Sequence, residues 1–419
     1  MYKRFVNLIL IILLYSVLFF PSLMSIDKVA EHFFALAVLN IFYLIGSLFL
    51  LNKNEFSFKK ILEVKEFFVF ILLLIWAAIS LIYSYNLPES IIELSEITSF
   101  VVSIILLYFL IKNTNYSVKL LFWISLFTLF FEQIFLWKDY LSLTNNTFFS
   151  DYNVSNLKGL FMNKNIASAS IIIKIPFAIY LAYYTKNYIL KALILFTAIS
   201  AVVLVILGSA RAFLIALLAV LFFFILFIIL ERRAIKYSLI GSSVLLLGIL
   251  FGNTLSQTSG RAINKRLETI QNIDNDQSAA QRIRYYKHGI THILNNPIIG
   301  VGIGNWKLKS VEYDAKNINN YIIPYNMHND FLELGAELGI FGMLLYISVF
   351  ILVAYKLLDS FFRNKKLDNR ILSFTLITSF LIYFIDANFN FPLTRTESQV
   401  NFIFLFVIYL LKTNEKPES

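Results

Sequence analysis

About twelve apolar runs, most of them long enough to cross a bilayer, decide what this chain can fold into. They lie near residues 5–24, 33–51, 67–86, 97–111, 119–136, 166–184, 189–207, 212–230, 237–252, 332–355, 371–387 and 398–411. A hydrocarbon core about 30 Å thick needs about 20 mostly apolar residues of helix to span it. Inside lipid every backbone N–H and C=O must find a partner within the protein, and runs of this length meet that demand as helices. Composition agrees, with 58% hydrophobic and 15% charged residues, against roughly 25% charged in soluble domains. The expectation is an all-α polytopic membrane protein of about 12 transmembrane helices.

Charge in the short segments sets an orientation. Lys3/Arg4, Lys53/Lys59/Lys60/Lys65, Lys112/Lys119, Lys186/Lys191, Arg232/Arg233/Lys236, Lys356/Arg363/Lys365/Lys366/Arg370 and Lys412/Lys416 fall on one side. The segment Leu87–Glu96, on the other side, holds Glu89, Glu93 and Glu96 and no Lys or Arg. The positive-inside rule makes the first side cytoplasmic, with both termini there. Lys3 and Arg4 before an apolar run look like a signal peptide. With no small-residue cleavage site in view, the expectation is an uncleaved first helix. The net charge of +10 then follows largely from loop orientation, and no nucleic-acid partner is needed to explain it. Cysteine is absent, which removes disulfide and thiol chemistry.

Two polar stretches fall outside, Trp137–Asn165 and the much longer Asn253–His328, between helices 9 and 10. The expected organisation is residues 1–252 as nine helices, 253–331 as an outer (periplasmic) loop subdomain, and 332–419 as three helices with a cytoplasmic tail, all one integral membrane domain. Excess cation on the outer face runs against the topological bias and needs another reason.

The stretch Tyr325-Asn-Met-His328-Asn329-Asp-Phe-Leu-Glu-Leu-Gly335-Ala-Glu-Leu-Gly339-Ile-Phe-Gly342 brings that loop back into an apolar helix. Asn329 or Asp330 is a natural N-cap, with Glu333 three residues beyond Asp330. On a continuous helix, positions 328, 332, 335, 339 and 342 share a face. Gly335 and Gly339 form a small-xxx-small pair suited to a close helix neighbour. His328 is then held just before a helix N-terminus, whose partial positive charge favours a neutral imidazole able to accept a proton.

Arg211 follows Gly208-Ser-Ala and opens the next helix, so Ser209, the N-terminal N–H groups and Arg211 suit a phosphate. The plainer alternative is an Arg snorkelling to headgroups. Arg282 and Arg284 are two apart on a helix and must point in different directions. One faces a site and the other solvent, or both belong to a solvated face together with Lys287 and His288. Lys174 sits inside an apolar span beside Pro176. Such a charge faces a cavity or a partner, or else snorkels from a tilted helix. The run Gly300-Val-Gly302-Ile-Gly304 lacks the βαβ context and the following Lys-Ser/Thr of a nucleotide loop, and reads as a tight turn. Four histidines without carboxylates at ligand spacing argue against a metal site. Asp386, Asn388, Asn390 and Arg395 line a polar entrance or satisfy a loop.

One reaction that wants this set is transfer from a lipid-linked pyrophosphate. The leaving group needs Arg or Lys to neutralise it, and the incoming hydroxyl needs a base near neutrality.

At this point the residues match a family. His328-Asn329, nine residues, then Gly339-x-x-Gly342 resembles the signature of the O-antigen ligase and polymerase superfamily, membrane glycosyltransferases of the GT-C type. Arg282-Ile-Arg-Tyr-Tyr286, Asn296-Pro297-x-x-Gly300-x-Gly302-x-Gly304-Asn305, Gly159-Leu-Phe161-Met-Asn163-Lys-Asn165 and Gly208-Ser-Ala-Arg211 resemble its other blocks. The resemblance implies an O-antigen ligase-type enzyme in a bacterial inner membrane, its active site facing the periplasm. It would move a glycan from undecaprenyl pyrophosphate to an acceptor hydroxyl, on lipid A–core or another glycan, with no cofactor or metal. A polymerase, a protein O-oligosaccharyltransferase and a flippase are the alternatives. Carried over by position, His328 would be the base. Arg211, and Arg282 or Arg284, would bind pyrophosphate with Lys174 beside them, supported by Asn329, Gly335, Gly339 and Gly342.

Overall fold

The computed structural model describes residues 2–20, 28–52, 55–112, 117–145, 153–161, 163–257, 277–318 and 325–414. Over its described residues, each of the twelve apolar runs falls largely on helix. In chain order the helices are α1 (Tyr2–Ser16), α2 (Lys28–Leu50), α3 (Phe58–Leu62), α4 (Lys65–Ser80), α5 (Leu87–Lys112) and α6 (Val118–Leu143). There follow α7 (Lys164–Ile172), α8 (Ile175–Tyr184), α9 (Tyr188–Gly208), α10 (Arg211–Leu230) and α11 (Ile235–Gln257). The rest are α12 (Gln277–Asn295), α13 (Trp306–Asp314), α14 (Asp330–Arg363), α15 (Leu367–Phe389) and α16 (Thr396–Thr413). Among the described residues, nine helical segments are long and apolar enough to span a membrane, not twelve. α1 with the turn after it forms a shorter apolar segment, Phe5–Phe19, among the described residues, and α4 has 16 residues. The charge-flanked α16 is not among the nine either.

The chain forms two compact units. The first holds Met1–Thr114, Asn272–Ala354 and Ala387–Ile403, and the second Asn115–Gln271, Tyr355–Asp386 and Phe404–Ser419. In both, apolar side chains point outward, as at Phe49, Phe196 and Ile229, while Ser103, Thr375 and Thr378 are fully buried. That inversion is what a lipid solvent permits, since outward burial of polar groups has no reward there.

In the second unit, α11 meets α9 through Gly248 and Gly252. Cβ atoms there would stand 2.4 Å from Val202 and 2.7 Å from Ile206. Four apart on one helix face, these two glycines provide the close approach of the small-xxx-small rule. Gln133 Nε2 donates to the Thr197 carbonyl (3.0 Å), and Trp137 Nε1 to Ser200 Oγ (2.7 Å), tying α6 to α9.

In the first unit, α14 is not one continuous helix. Gly339 has φ 72° and ψ −179°, a conformation open in practice to glycine alone. The break leaves carbonyls that a straight helix would bond internally. Val301 N–H donates to the Ala336 carbonyl (3.1 Å), Gly302 N–H to that of Glu337 (2.9 Å), and Trp76 Nε1 to that of Leu338 (2.8 Å). Beyond the break, Ile340 N–H donates to the Pro297 carbonyl (2.9 Å). The segment 297–302 is thus laid into the gap, and the orphan groups are satisfied. A Cβ at Gly300 would stand 2.3 Å from the Ala336 oxygen, and one at Gly339 2.3 Å from the Ile298 oxygen. This corrects the expectation of a straight glycine face. Gly339 breaks the helix, Gly335 meets Ile293 and Met343, and the nearest neighbour of Gly342 is Leu338 of its own helix.

Candidate active site

The site is built on the short stretch before α14. Asn329 is the cap: its Oδ1 accepts from Leu332 N–H at 3.0 Å. Asp330 is not the cap, because its carboxylate accepts from Leu393 N–H at 3.1 Å. Glu333 reaches back past the cap to Met327 N–H, at 2.8 Å. The acidic side chain reaches back as in a capping box, but from one residue later and to an N–H two residues before the cap, and it fixes the entry of the chain into α14.

His328 lies between those anchors with φ 60°. Left-handed backbone is uncommon outside glycine and costs free energy, although His visits it more readily than most residues. The conformation is held from three sides. Tyr286 Oη donates to the His328 carbonyl at 2.9 Å and lies 3.0 Å from the Asn388 carbonyl. Asn329 Nδ2 donates to that same Asn388 carbonyl at 3.2 Å. The imidazole meets the Phe391 ring edge-on, centroids 5.1 Å apart, and its Nδ1 is buried with no hydrogen-bond partner among the described residues.

Helix α12 sorts the two arginines by its period. Positions 282, 286, 289 and 293 form one stripe. Along it Tyr286 bonds the His328 carbonyl, a Cβ at Gly289 would stand 2.4 Å from the Met327 methyl, and Ile293 packs on Gly335. Arg282 therefore extends the stripe that faces the His328 segment. Arg284 lies on the other face, where Nε and Nη2 bond the two oxygens of Asp314 at 2.7 and 3.2 Å. His288, one turn on, comes within 4.0 Å of the same carboxylate. Tyr285, Ile293, Trp306, Met327 and Ala336 form the apolar core beneath, joining α12, α13 and the start of α14.

Electrostatics agree with that sorting. Burial, followed by the positive charges of Arg282 and Arg395, lowers the His328 pKa from its ordinary value near 6.5 to about 3. The imidazole is neutral at physiological pH, with its electron pair available to accept a proton. Helix-dipole reasoning from the sequence reached neutrality by a different cause. Burial and the two arginines are what produce it, and Arg395 was singled out from sequence only as lining an entrance or a loop.

Two of the sequence-chosen cations belong to the second unit. Arg211 is the first residue of α10, after Ser209 closes α9 in left-handed conformation (φ 48°, ψ 34°). The Ser209 hydroxyl donates back to the Ile206 carbonyl at 3.2 Å. Lys174 stands at the break between α7 and α8, and only 1% of it is exposed. Its ammonium reaches both oxygens of Glu132 (2.9 and 3.0 Å), the Ser170 carbonyl (2.8 Å) and the Ser170 hydroxyl (2.8 Å). Glu132 also accepts from that hydroxyl at 2.9 Å. The backbone explains the geometry. Lys174 N–H bonds Ile171 instead of Ser170, and the side chain's own ammonium takes the carbonyl so released. Lys174 is thus the cation of a buried ion pair. Sequence reasoning missed Glu132 because it sits in another apolar run, 42 residues away.

Fold and site together define a multi-pass, all-helical membrane protein with a poised histidine at the entry of a broken helix. Residues 175–347 match the family model described as O-antigen ligase. The matched region includes Arg211, Arg282, Arg284 and His328. A search of curated proteins finds similarity to the teichuronic acid biosynthesis protein TuaE of Bacillus subtilis (strain 168), 24% identical over 250 residues. That match covers 58% of this chain and 50% of the relative, so the chain spans about half the length of the curated relative it matches.

Proposed function

We propose that this protein is an O-antigen ligase-type membrane glycosyltransferase acting in polysaccharide biosynthesis. The donor is a glycan on undecaprenyl pyrophosphate, and the acceptor is a sugar hydroxyl at the outer face of the inner membrane. The observation that carries this reading is the neutral, strained and clamped imidazole of His328 beside Arg282. In the reaction, His328 removes the acceptor hydroxyl proton as the oxygen attacks the anomeric carbon. The bond from that carbon to the pyrophosphate oxygen breaks, and undecaprenyl pyrophosphate leaves with the electron pair. Arg282 offsets the charge that develops on the leaving group. General-base catalysis of this kind contributes about 10²–10⁴ in rate. The family resemblance assigns an anion-binding role to Arg211 as well. Lys174 and Arg284, engaged by Glu132 and Asp314, are left out of the phosphate set.

Lipid A–core is the acceptor of the ligase reading. The curated relative is named for teichuronic acid biosynthesis, which supports a second reading, a polymerase that joins carrier-linked repeat units. A deletion strain separates the two when lipopolysaccharide is run on a gel and carrier-linked glycans are extracted in parallel. Long chains piling up on the carrier over bare lipid A–core indicate the ligase. A single repeat on lipid A–core with no ladder indicates the polymerase. A normal pattern in both assays would overturn both readings for that surface glycan.

A further inference from the structure

On the side expected to be cytoplasmic, the second unit carries a charge cluster that the reaction above does not use. Residues 231–236 and 355–370, the turns α10–α11 and α14–α15 with the ends of their helices, hold eight Lys or Arg against three Asp or Glu. Glu231 builds the first turn. Its N–H donates to the Phe227 carbonyl at 2.9 Å, and its carboxylate accepts from Arg233 N–H at 3.3 Å. Glu231 is 4% exposed, and a buried carboxylate needs cations. Arg233 supplies Nε at 2.8 Å and Nη2 at 2.9 Å, and Arg370 of α15 adds Nη1. Phe361 lies against the Arg370 guanidinium, 4.8 Å to the ring centroid, and packs on Phe227, itself stacked on Phe374. One carboxylate and an aromatic wall thus hold two arginines in place, with one positive charge in excess.

Membrane topology asks only for Lys or Arg somewhere in such turns, and carboxylates contribute little to it. A buried acid that fixes two guanidinium groups is more than that bias requires. An arginine has five N–H donors in a planar fork suited to phosphate. Glu231 engages two of them on Arg233 and one on Arg370. The Arg233 side chain is 56% exposed, and Arg370 Nε is buried with no hydrogen-bond partner among the described residues. Ile229, Leu230, Ile235, Leu358 and Phe362, each within a helical turn in sequence of Glu231, Arg233 or Phe361, are exposed. Charges set beside exposed apolar side chains match a phosphate joined to acyl chains, whereas a free phosphate has no use for the apolar rim. We propose that this cluster binds the headgroup of an anionic phospholipid, Arg233 and Arg370 taking the phosphate and the apolar rim the chains. The site lies in the second unit and is independent of the reaction proposed at His328.

The test uses the full chain in detergent, with binding of phosphatidylglycerol and of phosphatidylcholine bearing the same acyl chains measured by native mass spectrometry. Phosphatidylglycerol is expected to bind about tenfold more tightly, since Arg–phosphate pairs are charge-assisted. Arg233→Gln should weaken its binding about fivefold or more, and Arg232→Gln, which removes the same charge from an exposed neighbour, less than about twofold. Equal losses in the two variants would reduce the cluster to the general attraction of a basic surface for anionic lipid and overturn the site. No preference for phosphatidylglycerol in the unsubstituted protein would also overturn it. Displacement of phosphatidylglycerol by excess inorganic phosphate would assign the cluster to a soluble anion and sink the lipid. If Arg233→Gln does not yield folded protein, Arg233→Lys decides. It keeps the charge and loses the fork, and phosphatidylglycerol binding unchanged from the natural residue overturns the proposal.

Discussion

Two buried polar clusters, one in each unit, meet the same problem in opposite ways. Around Lys174 every group on view is answered: the ammonium has four oxygens within 3.0 Å, and Glu132 has the ammonium and the Ser170 hydroxyl. Around His328 the backbone is over-determined while the imidazole keeps a buried nitrogen without a partner among the described residues. A satisfied buried network rigidifies, whereas a group left partly satisfied and strained is held ready for something else. From sequence Lys174 stood inside an apolar run and His328 at the mouth of one, and both were candidates for the site. The contrast teaches that an intramembrane charge becomes a candidate for chemistry through what its partners leave undone.

The strongest test of that contrast replaces His328 by Asn, which tolerates left-handed backbone. Transfer should fall by about 10²–10⁴ in single-turnover assays, with the thermal unfolding midpoint nearly unchanged. In the unsubstituted protein, kcat/KM should hold as pH falls through 6.5. The imidazole takes a proton only near its folded value of about 3, so the acidic limb belongs well below the usual histidine range.

The converse experiment is Lys174→Met. It leaves Glu132 buried and uncompensated, at a cost of about 3–5 kcal/mol, whereas removing both charges with Glu132→Leu should restore most of the loss. Unfolding in detergent measures both. If Lys174→Met abolishes transfer at full stability, the contrast between the clusters collapses and Lys174 joins the site.

Gly339→Ala comes next. Its Cβ would stand 2.3 Å from the Ile298 oxygen at a backbone φ of 72°, and strain plus overlap should destabilise by roughly 2–5 kcal/mol. Gly342→Ala places its Cβ equally close, 2.3 Å from Leu338 Cβ, but at an ordinary backbone conformation, so it should cost less by the strain that Gly339→Ala adds. Equal losses would revive the straight-helix picture. The smallest effect is expected for Tyr286→Phe, which removes one hydroxyl from the clamp on His328. About 1 kcal/mol of stability and a several-fold drop in kcat with little change in KM would mark a residue that positions the base. An unchanged kcat would reduce Tyr286 to packing.

Much of the molecule was legible before any coordinates. Each apolar run is helical because hydropathy over about 20 residues is a local sum that no distant contact can reverse. The entry to α14 was legible too, since a cap needs only Asn329 and its own next turn. The cap fell on Asn329 and not Asp330 because Leu393, 63 residues away, claims the Asp330 carboxylate. Likewise the spacing of Arg282 and Arg284 showed that they point apart, while nothing local showed which of them Asp314 would take.

What the sequence by itself determined is therefore everything that depends on neighbours along the chain: the helices, their apolar exteriors, and a histidine held at a helix entry. What only the tertiary structure decided depends on pairs that are distant in sequence. These are the break at Gly339 filled by residues 297–302, the Lys174–Glu132 pair, the choice of Arg282 for the His328 side, and the place of Arg395 at the Phe391 ring. The reason is physical. Helix formation and lipid exposure are settled turn by turn. The charge state of a buried group depends on which other charges share its low-dielectric surroundings, and only the folded chain brings those together.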